Sequence, residues 1–215
     1  FHTMGLLIKQ APLDQSVGVC WRCKTPVEFI NAKQWFLKTI PFKQMVLDAS
    51  NDMHWYPEFM KIRLEDWVHS LEWDWVISRQ RYFATPIPLW ECESCGEVVL
   101  ARPEDCYIDP TVDKPPVEKC QKCGGHLKGC EDVFDTWIDS SISPLYNTFW
   151  HRDEKKFKHL YPMSLRAQAH DIIRTWAFYT ILRCMLLTDE KPFESIMMGG
   201  FILSEDGTPM HASLG

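Results

Sequence analysis

Residues 164–203 limit the possible folds more than any other stretch. Ser164–Ala169 reads as a short strand, and Ser195–Leu203 as a second strand containing Gly199-Gly200. Between them, Ile173, Trp176, Ala177, Thr180, Ile181 and Cys184 recur at spacings of three and four, which gives one largely apolar helix face. Strand, helix and strand make a βαβ unit. Such units take ligands at the carboxyl ends of their strands, where the helix begins. The run Ala169-His170-Asp171-Ile172-Ile173-Arg174-Thr175-Trp176 lies at that point. Asp171 there suits the positive end of the helix dipole. The plainer reading is a core helix, and burial is the expected fate of Ile173 and Ile181.

Composition narrows the function classes. The 215 residues, 46% of them hydrophobic, suffice for one core and a small second domain. A formal charge of -6 argues against holding nucleic acid by bulk charge, so any RNA contact must be local and shape-driven. The sequence has no long apolar run and no signal peptide, so the expectation is a soluble, cytoplasmic protein without a membrane partner. Phe1-His2-Thr3 ahead of Met4 reads as a tag remnant, and Gly215 falls inside what reads as a functional loop, so a longer parent protein is expected.

Cysteine spacing carries the strongest local chemistry. Among nine cysteines, Cys92-Glu93-Ser94-Cys95-Gly96 and Cys120-Gln121-Lys122-Cys123-Gly124 form two tight knuckles separated by a proline-rich loop. The glycine after each pair can take positive φ, which turns backbone N–H groups toward the sulfurs. Four thiolates at this spacing suit a closed tetrahedral zinc site with no position left for catalysis; an iron–sulfur centre is the second choice. Cys20-Trp21-Arg22-Cys23 offers half of a further site, or else a pair of free thiols, and needs two more ligands. Cys106, Cys130 and Cys184 read as buried thiols.

Elsewhere, Met4–Val19 reads as extended, Lys33–Thr39 suits a strand, and Pro41–Ser50 and Glu58–Ser70 suit helices. Trp73–Trp90 reads as a strand followed by a loop fixed by prolines. Within it Arg79 and Arg81 lie among Trp75, Tyr82 and Phe83. Arginine planes and aromatic rings can stack on an unpaired nucleotide, which makes both arginines candidate nucleotide contacts; the alternative is pairing with Asp or Glu inside the fold. Asp132–Ser141 leads from the ribbon back to the α/β body, with Trp137 either a core residue or a pocket wall. The charged stretch 151–159 is expected to face solvent.

Four stretches taken together resemble class I aminoacyl-tRNA synthetases of the branched-chain subgroup: Ser16–Cys23, Asp74–Arg81 with Thr85-Pro86-Ile87-Pro88, Asp132–Ser141 and His170–Trp176. The run Ala169–Trp176 resembles the archaeal valyl type. The resemblance implies an α/β fold: the second half of a Rossmann-like nucleotide-binding domain with an inserted zinc ribbon. It implies a return from an editing domain over 1–30, a connective region and strand-loop over 31–91, the ribbon over 92–130, and the Rossmann-like half over 131–215. It implies activation of valine by ATP with Mg2+ and transfer to tRNA-Val, with structural zinc as the resident metal. The first half of the catalytic fold and an anticodon-binding domain are then the missing partners, and this stretch alone is not expected to complete catalysis.

The same resemblance assigns roles. Positions matching Trp137, Ile172 and Trp176 line the valine side-chain pocket. Those matching Gln168 and Asp171 lie near the ribose and aminoacyl group, and Gly199, Gly200 and Phe201 flank the adenine. Met210, His211 and Ser213 fall in a loop matching the family's KMSKS signature, with Met210 at the nucleotide and His211 and Ser213 as candidate catalytic residues. One departure stands out: Pro209 and Ala212 replace both lysines of that signature. Losing one such cation can cost on the order of 10²-fold in rate. Two other readings remain: a stand-alone zinc module that binds the tRNA acceptor end without catalysis, and a structural zinc protein with no RNA partner.

Overall fold

The computed structural model describes residues 2–20 and 23–210. They divide into a larger unit of residues 34–202 and a smaller one drawn from both chain ends, 1–33 and 203–215. In chain order the larger unit holds β1 (Phe36–Leu37), α1 (Lys43–Asn51), β2 (His54–Tyr56), α2 (Lys61–Ser70), β3 (Trp75–Val76) and β4 (Ser78–Arg79). Next come the ribbon strands β5 (Leu89–Cys92), β6 (Val98–Leu100) and β7 (Leu127–Gly129), and then β8 (Val133–Phe134). The rest is α3 (Thr136–Ser141), α4 (Ser143–Asn147), α5 (Glu154–Leu160), β9 (Met163–Ala169), α6 (Phe178–Thr188) and β10 (Phe193–Gly199).

The βαβ unit is present. β9 and β10 run parallel, joined through α6, and β2 adds a third parallel strand in the order β2-β10-β9. Side-chain alternation splits the sheet into two faces. Trp55, Ile196 and Arg166 sit side by side on the buried face; Tyr56, Met197 and Ala167 sit side by side on the other and are exposed. The buried face packs on α1, α2 and α6 through Val46, Leu64, Val68, Ile173, Phe178, Ile181 and Leu182, which are essentially inaccessible. Each such side chain contributes about 1.5–3 kcal/mol of burial free energy.

Several boundaries differ from the sequence expectation. The second strand stops at Gly199, not Leu203. The helix does not start as a regular α-helix: a 3₁₀ turn at His170–Ile172 leads into a π turn at Ile173–Ala177, and α6 follows. Short 3₁₀ turns, Ile40–Phe42 and Glu58–Met60, likewise precede α1 and α2. The strand expected over 33–39 shrinks to Phe36–Leu37, because the Asp74 carboxylate draws off the next backbone donors, accepting from the N–H groups of Thr39 (2.8 Å) and Ile40 (3.1 Å). β2 gave no usable signal, since three residues ahead of Pro57 are too short a window for periodicity. Cys106 is exposed and Cys130 half-buried; only Cys184 of that trio is a buried thiol.

The ribbon is a three-stranded antiparallel sheet, β6-β5-β7, over a small core of Trp90, Cys92, Cys120 and Leu127. The described residues of the smaller unit carry little regular structure: a 3₁₀ turn at His2–Met4 and the isolated bridges Val19–Pro26 and Leu203–Pro209. No helix among the described residues is long and apolar enough to cross a membrane.

Candidate active site and metal centre

The carboxyl ends of β9 and β10 form the candidate active-site mouth. Gly199 stands opposite Ala169 in the parallel register, so each strand ends beside the start of the 3₁₀ turn. The His170 ring meets Phe201 edge-on, with centroids 4.7 Å apart, and its Nδ1 lies 3.5 Å from the Gly199 carbonyl oxygen. Gln168 points into the buried face one step back along β9, and its Oε1 is buried without a hydrogen-bond partner. Asp171 is exposed at the mouth. A cavity of about 570 Å³ opens there, bordered by His170, Asp171 and Arg174 on one side and Arg63, Asp66 and Trp67 of α2 on the other. Gln168, Asp171, Gly199, Gly200 and Phe201 are thus gathered at one end of the sheet. Met210 is exposed in the smaller unit, and His211 and Ser213 lie outside the described residues.

The two tryptophans singled out in the sequence sit on elements that touch. α3 packs on the π turn, and the Trp176 indole N–H donates to the Ser140 carbonyl of α3 at 2.9 Å. Trp137 occupies the first turn of that helix, where Asp135 caps it by accepting from the Trp137 N–H at 3.3 Å. Trp137, Ile172 and Trp176 are all half-buried, and none of them borders the cavity beside His170 and Asp171.

Asp135 does more than cap. Its Oδ2 accepts from the Trp75 indole N–H (3.0 Å) and from Arg79 (2.9 Å), while Arg79 also donates to the carbonyls of Val76 and Ser78. The Arg79 donors therefore go inward, as the internal-pairing alternative expected. Arg81 is exposed, and so are its neighbours Tyr82 and Phe83. Sequence reasoning missed Asp135 as an organiser of Trp75, Arg79 and α3. An Asp immediately ahead of Thr136-Trp137 was an available N-cap signal.

The Sγ atoms of Cys92, Cys95, Cys120 and Cys123 lie within 4.8 Å of one another. Cys92–Cys123, Cys95–Cys120 and Cys95–Cys123 are 3.4, 3.7 and 3.3 Å apart. Four sulfurs at zinc–thiolate distance from one tetrahedral centre are about 3.8 Å apart, so the donor set fits that ion. Burial opposes ionisation of Cys92, but backbone N–H groups of Cys95 and Ser94 outweigh it and bring that thiol down to about 6. The Glu97 N–H lowers Cys95, yet crowding by Cys123 and Cys92 drives it up to about 12. Bringing four sulfurs this close favours whatever cation relieves their mutual repulsion. Gly125 is required by space: a Cβ there would lie 2.6 Å from Ser94 Oγ and 3.0 Å from Cys92 Sγ.

The Cys20–Cys23 pair repeats the same turn. Cys92, Cys120 and Cys20 each accept from the N–H four residues on, from Gly96 (2.9 Å), Gly124 (2.8 Å) and Lys24 (2.8 Å). Each also donates its own N–H to the carbonyl five residues on, in Glu97, Gly125 and Thr25. The fourth residue has positive φ in all three: 70° at Gly96, 73° at Gly124 and 62° at Lys24. Cys23 is lowered to about 7, chiefly by the Thr25 hydroxyl.

A model of the tRNA synthetases class I (I, L, M and V) matches residues 17–215. The chain belongs to the class I tRNA synthetases. Over 97% of its length it is 51% identical to the valine–tRNA ligase of Methanococcus maripaludis, and over 98% it is 53% identical to that of Archaeoglobus fulgidus. It covers 23% and 24% of those two proteins, so the chain spans about a quarter of the length of the curated relatives it matches. Among solved structures, the Mycobacterium tuberculosis methionyl-tRNA synthetase in complex with methionyl-adenylate aligns over 91% of this chain and 31% of its own, with a TM-score of 0.55 at 19% identity. That likeness shows the synthetase fold.

Proposed function

We propose that this synthetase chain is the second half of the aminoacylation domain of a valine–tRNA ligase, carrying one side of the site where valine and ATP form valyl-adenylate. The observation that carries the reading is the gathering of Gln168, Asp171, Gly199 and Phe201 at the carboxyl ends of β9 and β10, in a chain about half identical to valine–tRNA ligases. In this reading the valine carboxylate attacks the α-phosphorus of ATP and pyrophosphate leaves; a terminal hydroxyl of tRNA-Val then attacks the adenylate carbonyl, takes the valyl group and releases AMP. Mg2+ accompanies ATP.

Trp137, Ile172 and Trp176 supply rigid apolar walls for the isopropyl group. Such walls discriminate by only about 1–3 kcal/mol per methylene, and they reject an isosteric hydroxyl such as threonine's only weakly, for which the valyl enzyme is a known illustration. Gln168 and Asp171 lie near the ribose and the aminoacyl group. Gly199, Gly200 and Phe201 flank the adenine, and Met210, His211 and Ser213 belong by sequence to the run that matches the KMSKS signature. Arg81, unlike Arg79, stands free to meet the tRNA end beside Tyr82 and Phe83. The Cys92–Cys95–Cys120–Cys123 ribbon holds structural zinc, and Cys20–Cys23 is half of a second zinc site.

The exposed sheet face supports the division into halves. Parallel sheets are covered on both faces, yet Leu165 and Met197 here are 47% and 46% exposed. A covering layer and the other half of the pocket fit that face. The test is amino-acid-dependent ATP–pyrophosphate exchange by the full-length protein. Valine is expected to give kcat/KM at least about 100-fold above isoleucine. Exchange driven by another amino acid, or by none, overturns the reading.

A further inference from the structure

Arg166 is out of place by the logic of its strand. It sits on the buried face of β9 in a row with Ile196 and Trp55, where an aliphatic side chain is the usual occupant, and only 7% of it is exposed. Its Nη2 donates to Ser143 Oγ at 3.1 Å, and its Nη1 is buried without a partner. No carboxylate among the described residues pairs with it. Burying a cation on such terms is costly unless something else compensates. Burial lowers its pKa only to about 10, so it stays charged at neutral pH.

The compensation is aromatic. The Arg166 guanidinium carbon lies 3.4 Å from the centroid of the Trp176 ring and 4.9 Å from that of Phe193. A desolvated cation over an indole face is the strongest form of this contact. Trp176 is meanwhile pinned at its edge, through the N–H donated to Ser140. Ser143, which holds the guanidinium, opens α4 directly behind α3. One face and one edge of the indole are therefore fixed by side chain and backbone. The π turn that carries Trp176 is an irregular segment, so the backbone alone sets the ring's direction less firmly than a regular helix does.

We infer that Arg166 is a positioning residue that sets the plane of the Trp176 indole and, through it, the fit of the amino-acid side chain in the pocket. The inference rests on the proposed valine site. Arg166 itself touches no substrate. Lysine keeps the charge but cannot lay a planar group on the indole while bonding Ser143. Methionine keeps the length and loses the charge.

The experiment measures ATP–pyrophosphate exchange in the full-length protein with valine and with isoleucine, for Arg166→Lys, Arg166→Met, Ser143→Ala and Trp176→Phe. Arg166→Lys and Arg166→Met are expected to raise the valine KM about tenfold and to narrow the valine-to-isoleucine ratio, while kcat and the KM for ATP move less than about twofold. Ser143→Ala, which leaves the cation in place and is the mildest change to the fold, is expected to raise the valine KM about two- to threefold. In Trp176→Phe, adding Arg166→Lys is expected to change the valine KM less than it does alone, because the face it ordered is gone. If Trp176→Phe raises the valine KM while Arg166→Lys and Ser143→Ala leave it unchanged, the positioning role is wrong and the pocket stands. If Trp176→Phe also leaves it unchanged, the pocket reading fails and the inference falls with it. Equal losses for ATP and valine, or a fall in kcat alone, make Arg166 a general structural residue and overturn the inference.

Discussion

The ribbon and the parallel sheet close their cores by opposite means. The ribbon buries little: Trp90, Cys92, Cys120 and Leu127 are its whole buried cluster, and four converging thiols finish it from within. The sheet buries far more, through Val46, Leu64, Val68, Phe178, Ile181, Leu182, Phe193 and Ile196, but on one face only. Its other face shows Tyr56, Leu165 and Met197 to solvent. A core too small for its hydrophobic contacts is completed by a metal. A core large enough for its helices but open on one side leaves a face for other chain to cover. The proposed function assigns that covering layer to the rest of the synthetase and the substrates to the sheet, and it gives the ribbon a metal alone.

Removing metal should have the largest effect, because structural zinc contributes roughly 10 kcal/mol or more to small sites of this kind. Chelation is expected to release one tightly held zinc from the ribbon and to abolish amide-exchange protection across 89–129, with protection of β9, α6 and β10 retained. Protection of the ribbon that survives full metal removal would show that its apolar core suffices. Next, Ile181→Ala should cost the sheet unit about 2–5 kcal/mol in urea unfolding, since Ile181 is fully buried, and should leave zinc content unchanged. Third, Met197→Asp should change the stability of this chain by no more than about 0.5 kcal/mol, as an exposed site. In the full-length protein the same change should cost about 2 kcal/mol or more, as an unpaired charge placed against a covering layer. Equal effects in both would mean that the outer face is never covered.

Two smaller effects refine the picture. Lys24→Gly should stabilise the Cys20–Cys23 turn by about 0.5–1 kcal/mol, because Lys24 holds a positive φ that Gly96 and Gly124 adopt without strain. Thermal unfolding of the metal-loaded protein measures it. Asp74 should make stability depend on acid. The N–H groups of Ile40 and Thr39 hold its carboxyl below the ordinary range, so its contribution is full above that range and fades as pH falls through the lowered value. Melting temperature followed from pH 7 to 3 should fall less steeply in Asp74→Asn than in the parent.

Much of this was readable from residue order. The spacing of Ile173, Ala177, Ile181 and Cys184 gave the helix and its buried face, and the paired Cys-x-x-C knuckles gave the ribbon. What escaped depends on contacts remote in sequence. Trp55 joins the sheet only because β10, some 140 residues later, offers it a parallel partner. Arg79 turns inward because Asp135 arrives beside it from the far side of the ribbon. Arg166 breaks the strand pattern, and its reason becomes visible only when Trp176 lies over it. The π turn left no periodic trace, since one extra residue in five is below what spacing can resolve.

In the proposed function valine and nucleotide meet at the sheet mouth and not at the ribbon. Hydrogen exchange of the full-length protein, with and without a non-hydrolysable valyl-adenylate analogue, separates the two. The account predicts new protection over 134–141 and 168–177, around Trp137, Ile172 and Trp176, and none over 92–129. Protection confined to the ribbon, or none at the mouth under saturating analogue, would contradict it.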